Sequence, residues 1–207
     1  MEDRETGPRW LSANAADNPF GVDVFDCREV ALGSMSTTMD RSIAETYNAL
    51  REGDGRVHIG KHPPDCAEVH SLLMVPFDGA PLEGVLHLAA EMEDKWDIFA
   101  YEDVLYAARS WTGTLSYAVD LLYREGQLLM PLIHYGRDLA FGQPEIVERQ
   151  VEFLAGTYLW NTLMPFPIPA VLPSDPVQVS LYGFSNYGRA AQFGAYLDSS
   201  QKYNNAR

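Results

Sequence analysis

From Val69 to Ile133 apolar and polar residues alternate in short runs, and this pattern constrains the fold more than any other feature of the chain. It passes through Val85-Leu86-His87-Leu88, Trp96-Asp97-Ile98-Phe99-Ala100-Tyr101 and Val104-Leu105-Tyr106-Ala107-Ala108-Arg109. It continues through Leu115-Ser116-Tyr117-Ala118-Val119-Asp120-Leu121 and ends with Leu128 to Ile133. A strand points successive side chains to opposite faces, so a period of two marks a sheet with a covered face. The separators Asp78-Gly79, Glu102-Asp103, Thr112-Gly113 and Glu125-Gly126 are turn-like and too short for crossover helices, which makes the pairing antiparallel. Residues 67 to 135 are therefore expected to form a continuous antiparallel meander of about five strands.

Helical spacing flanks this run. Asp40 is placed to cap a helix carrying Ile43, Tyr47 and Leu50, stopped by Gly53-Asp54-Gly55. Gln143-Pro144 opens the clearest helix, to about Leu163, with Glu145 and Glu148 near its positive end. Its stripe of Val147, Val151, Leu154 and Tyr158 is expected to lie on the sheet. Ser174 or Asp175 caps a third helix whose apolar side is Val177, Leu181 and Phe184 and which stops near Gly188. Between these, Met164-Pro165-Phe166-Pro167-Ile168-Pro169 reads as an extended, polyproline-like connector. Val22 to Cys27 reads as a first strand that Glu29 to Ser34 continues, Val57 to Gly60 as a short edge strand, and Ala190 to Leu197 as a last strand. Residues 1–20 form an irregular arm anchored by Trp10, Leu11 and Phe20, and residues 199–207 a frayed end. The sum is one α+β domain over 1–207: an antiparallel meander of five to seven strands with two or three helices packed on one face.

Charge narrows the functions open to such a fold. The chain of 207 residues has 15 Lys plus Arg against 29 Asp plus Glu, a net charge of −14. That surface repels phosphate backbones and anionic membranes, so neither nucleic acid nor membrane is an expected partner. No apolar stretch reaches the ~20 residues of a membrane helix, and the acidic start is followed by no apolar leader core, so a cytoplasmic location is expected. Cys27 and Cys66 are too few for a disulfide scaffold and read as buried free thiols.

Few motifs carry chemistry. His62, Cys66 and His70 stand four apart, but Pro63 and Pro64 oppose a helix there, and in a strand the groups spread over roughly 26 Å, too far for one ion. No metal site and no cofactor are predicted. Gly183-Phe184-Ser185-Asn186-Tyr187-Gly188 matches neither a nucleophile elbow nor a phosphate loop, and reads as the glycine-ended close of a helix. No catalytic triad is legible. The run Glu91-Met92-Glu93-Asp94-Lys95-Trp96-Asp97 reads as an acidic hairpin loop.

Arg109 is the exception. If Leu105 and Ala107 face inward, so does Arg109, and a buried guanidinium requires a carboxylate or several carbonyls. Asp97 and Glu91 are the expected partners, with Trp96 or Trp111 as stacking surfaces. Tyr106, Tyr117 and Tyr123 are expected on one face.

Two functional expectations follow. The first is a non-enzymatic acidic binding protein, a module of immunity-like or chaperone-like kind for a basic protein partner. The second is an enzyme or small anionic-ligand binder with a pocket between sheet and helices around Arg109. Trp96, Trp111, Glu91 and Asp97 would border that pocket, and Glu91, Glu93 or His87 would supply an acid or base. A homodimer through an open sheet edge is a third expectation.

Overall fold

The computed structural model describes residues 7–197. The alternating run folds into one sheet of seven strands: β3 (Cys66–Pro76), β4 (Gly84–His87), β5 (Trp96–Tyr101), β6 (Val104–Arg109), β7 (Leu115–Asp120), β8 (Leu122–Arg124) and β9 (Gln127–Gly136). Every pairing in it is antiparallel. The hairpin turns take the backbone their residues favour: Glu102 and Asp103 have φ of 54° and 57°, and Glu125 and Gly126 have 47° and 77°. Two successive positive φ values match the twist of the flanking strands.

The meander is continuous only from β4 to β7. The spatial order is β3-β9-β7-β6-β5-β4, with β8 pairing β9 alone. Thus β3 and β4, consecutive in the chain, lie at opposite edges. Length accounts for this: β9, with 10 residues, has a second edge to satisfy, and β3, with 11, matches it from Cys66↔Gly136 to Pro76↔Gln127.

The three middle strands are covered on both sides. Trp96, Ile98, Ala100, Leu105, Ala107, Tyr117 and Val119 belong to the main core. That core includes Val147, Val151 and Leu154 of helix α3 (Pro144–Leu154) and Val179 and Tyr187 of helix α4 (Pro176–Tyr187). Helix α1 (Arg28–Gly33) packs on α4. Phe99, Tyr101, Tyr106 and Ala118 point the other way into a smaller cluster with Ile59. Helix α2 (Arg41–Leu50) and the 3-10 turn Arg56–His58 cover that side: the Tyr101 hydroxyl donates to Asp54 O at 2.6 Å, and Gly60 N donates to the Tyr106 hydroxyl at 3.0 Å. Tyr106 and Tyr117 therefore lie on opposite faces. Asp40 caps α2 through the Ser42 amide at 2.8 Å.

A second sheet, absent from the expectation, has the order β1-β2-β11-β10: β1 (Arg9–Leu11), β2 (Val24–Asp26), β11 (Phe193–Tyr196) and β10 (Phe166–Ile168). It corrects three expectations. The arm contributes a strand, Glu29 to Ser34 turns into α1, and the proline-rich connector is a buried strand paired parallel to β11. Extended proline backbone suits a strand at a sheet edge, where the missing amide of Pro167 leaves no ladder partner unmet. Val57 and His58 lie in a 3-10 turn and Ile59 and Gly60 in the turn that follows, so no strand forms there. Helix α3 gives way at Ala155–Leu159 to one wide π turn, short of Leu163, and Tyr158 is half-buried while Val147, Val151 and Leu154 are buried. The face of α4 is rotated from the expected one: Val177 and Leu181 are exposed, and Val179, Ser180, Gly183 and Tyr187 are buried. A Cβ on Gly183 would meet Phe166 Cζ at 2.7 Å, so close approach rather than bulk selects that face. The frayed end at 199–207 lies outside the described residues. No helix among those described is long and apolar enough to cross a membrane.

Candidate functional site

At the end of β6 the chain turns through Ser110–Gly113 into β7, with the Gly113 amide donating to Arg109 O at 2.8 Å. The register places Arg109 opposite Trp96, so the two side chains share a face and the guanidinium lies 4.8 Å from the indole centroid. Arg109 Nη1 donates to Asn186 O at 3.0 Å and Nη2 to Ser185 O at 2.8 Å. Those carbonyls belong to the last turn of α4, where they lack helical partners and carry the negative end of the dipole. The Trp96 indole donates to the same Asn186 O at 2.8 Å.

The carboxylates expected around Arg109 are elsewhere. Asp97 follows Trp96 and so faces the opposite side of the sheet, where it accepts two bonds from Arg51 Nη2 at 2.9 and 3.0 Å and one from the Ala89 amide at 2.9 Å. Glu91 pairs at the surface with Arg189 at 2.6 Å. Carbonyls take the carboxylates' place. His87 sits against Tyr158, ring centroids 4.6 Å apart, with its pKa pushed down by burial. Cys27 is buried and Cys66 half-buried.

A cleft of about 510 Å³ opens beside Arg109. Arg109, Trp111, Lys95, Phe184 and the Met35–Thr37 segment line it, and none of its lining residues is acidic. Lys95, 7% exposed, immediately precedes β5. Its Nζ donates to Ser36 Oγ at 2.7 Å and to Met92 O at 2.9 Å, and lies 4.6 Å from the Trp111 ring centroid and 5.1 Å from that of Phe184. Trp111 is fixed by its own bond to Met92 O at 2.8 Å. Burial first, then the Arg109 charge, lowers the Lys95 pKa to about 8, against the opposing pull of Glu93 and Asp94. Glu93 turns away to accept the Ser36 amide at 2.7 Å, and that bond holds its carboxyl below the usual range.

The chemistry available follows from these donors. Guanidinium has five N–H groups and ammonium three. Each spends two here on neutral oxygens, which leaves three and one for a ligand. Neither group forms an ion pair with a carboxylate among the described residues. Lys95 and Ser36 have the contact of a base and a nucleophile, but the two aromatic rings favour the charged ammonium and the Ser36 amide is already spent on Glu93. The arrangement is an anion receptor with aromatic walls.

Of the expected site residues, Arg109, Trp96 and Trp111 come together, and Asp97 and Glu91 do not join them. Lys95, Ser36 and Phe184 were not expected. Lys95 stands in an acidic run that reads as a solvated loop, and Ser36 and Phe184 come from distant segments. No family model, no curated protein and no solved structure matches this chain.

Proposed function

We propose that the protein binds a small anionic ligand bearing an aromatic or apolar group, in the cleft between the β6–β7 turn and the end of α4. One observation carries this: Lys95 and Arg109 line a single cleft with no acidic lining residue, although the chain as a whole has a net charge of −14. A buried and a half-buried cation, held by neutral oxygens and aromatic rings and by no carboxylate, gain strongly from a carboxylate or phosphoryl group, because burial weakens screening. Trp111 and Phe184 offer the apolar body its contact. Calorimetric titration with phenyl phosphate and benzoate tests the reading. Binding is expected with the native chain and is expected to fall at least tenfold in Lys95→Gln. Equal heats from the two proteins would sink it.

A module for a basic protein partner is the second reading. The net charge supports it, as do Leu32, Met35 and Met39, which are 55%, 80% and 103% exposed on the segment bordering the cleft. Pull-down at low salt is its test, and recovery of no basic protein above background removes it.

A further inference from the structure

A second group of chemically active side chains lies away from the cleft, at the start of β3. His62, Cys66 and His134 each present a ligand atom, and the three atoms lie within 4.8 Å of one another, the one such cluster among the described residues. Spacing along the chain pairs His62 and Cys66 with His70. The fold replaces His70 with His134, which strand register brings in from β9. Glu68 lies opposite His134, and Cys66 opposite Gly136. Side chains two apart on a strand share a face, as do directly paired residues, so Cys66, Glu68 and His134 all project on one side. That side is away from the main core, which takes Ala67, Val69, Ile133 and Tyr135.

His62 reaches the same spot from the loop before β3. The loop is pinned at both ends: the Gly60 amide donates to the Tyr106 hydroxyl at 3.0 Å, and Arg137 N donates to Asp65 O at 3.2 Å. Pro63 and Pro64 stiffen the chain between the pins. The imidazoles of His62 and His134 already meet edge to face, centroids 4.4 Å apart. Glu68 Oε2 is 3.9 Å from His134 Nδ1. A carboxylate behind a ligating imidazole fixes its orientation and strengthens it as a donor.

We propose that His62, Cys66 and His134 bind one divalent zinc ion, with Glu68 as the positioning residue for His134 and a fourth coordination place open to solvent. The donor set selects the metal class. One thiolate and two imidazoles are soft to borderline ligands, which disfavours magnesium and calcium and suits zinc. Zinc–nitrogen bonds of about 2.0–2.1 Å and a zinc–sulfur bond of about 2.3 Å set donor separations near 3.5 Å in a tetrahedral site. The observed cluster must close by about 1 Å, and His62, exposed on its loop, moves most freely to do so. The Cys66 thiol now donates to Ala67 O at 3.4 Å, and metal binding replaces that proton with the Zn–S bond and releases it to solvent.

Cobalt(II) is the probe, because it takes the same ligands and reports them in its spectrum. Titration of the reduced full-length chain is expected to saturate at one equivalent with a sulfur-to-cobalt charge-transfer band, and zinc is expected to bleach it. Cys66→Ser should abolish that band. His62→Ala, at an exposed loop position, should weaken cobalt binding at least tenfold with the fold intact by circular dichroism, and Glu68→Gln should weaken it by roughly 10–100-fold. A charge-transfer band that persists in Cys66→Ser, a folded His62→Ala with undiminished affinity, or no band in the native chain would each overturn the proposal.

Discussion

Lys95 holds its charge where solvent helps it least, and its titration should therefore be visible in binding. Burial and the Arg109 guanidinium bring its pKa to about 8 from an ordinary 10.5. An anion binds the protonated form, and phenyl phosphate is itself mostly dianionic above its second pKa of about 6, so its affinity should be highest at about pH 7 and fall as pH rises through 8. Lys95→Gln should lose that inflection, and calorimetry across the range checks both. The same shift acts on folding with a definite sign. Between about 8 and 10.5 the unfolded chain keeps a proton on Lys95 that the folded chain has given up, so this residue adds stability as pH climbs through that window. The native melting temperature should accordingly gain on that of Lys95→Met over those pH values.

Arg109 calls for a different mutation. Its removal leaves Asn186 O still bonded to the Trp96 indole, and Ser185 is exposed, so water replaces the other partner. Arg109→Met should cost about 1.5–3 kcal/mol, the range for hydrogen bonds to a charged group, at or below the roughly 3–5 kcal/mol of a broken buried ion pair. Urea unfolding checks the first value, and loss of phenyl phosphate binding in the folded variant checks the role of the residue. Sequence exposes Arg109 because a cation at the end of an apolar strand is anomalous. It conceals the oxygen atoms that satisfy it, since backbone carbonyls 76 and 77 positions away leave no residue-type signal.

At the scale of elements, legibility followed local pattern. The β5–β6 and β6–β7 hairpins show in the sequence because each turn lies between strands that alternate, and Glu102, Asp103 and Gly113 in those turns take positive φ. The β3–β9 pairing does not show, because it joins strands separated by the whole meander and is chosen by matched length. Three-residue strands such as β1 and β10 hold too few residues to display a period, whereas β2 falls within the alternating stretch from Val22 to Cys27. The metal cluster is hidden for the same reason as β3–β9, since His134 reaches Cys66 only through that register. Helix α3 shows clearly because its stripe is apolar, yet Gln150 on the buried side accepts from the Tyr117 hydroxyl at 2.9 Å and donates to Leu139 O at 3.0 Å, a polar link between sheet and helix. Leu154, at 3% exposure in the main core, gives the element its test. Leu154→Ala should cost about 2–5 kcal/mol in equilibrium unfolding, and a loss well below that would place the stripe outside the core.

At the scale of the whole molecule, a cationic cleft is set in an anionic body, and the two act over different distances. The net charge of −14 is spread over the surface and repels an approaching anion from afar. Lys95 and Arg109 act only within the cleft, where neighbouring rings and carbonyls displace screening solvent. Salt separates these contributions, because the Debye length shrinks from about 30 Å at 0.01 M to about 8 Å at 0.15 M. Over that interval the distant repulsion is removed while the contacts at hydrogen-bond range largely persist. The association rate of phenyl phosphate should therefore rise with salt, whereas for a basic patch on a basic protein it would fall. Stopped-flow quenching of Trp111 fluorescence, with Trp111→Phe as the control, measures this rate. A rate that falls steeply with salt would mean that the cationic field extends beyond the cleft, and that the anion is drawn to a larger surface than Lys95 and Arg109 provide.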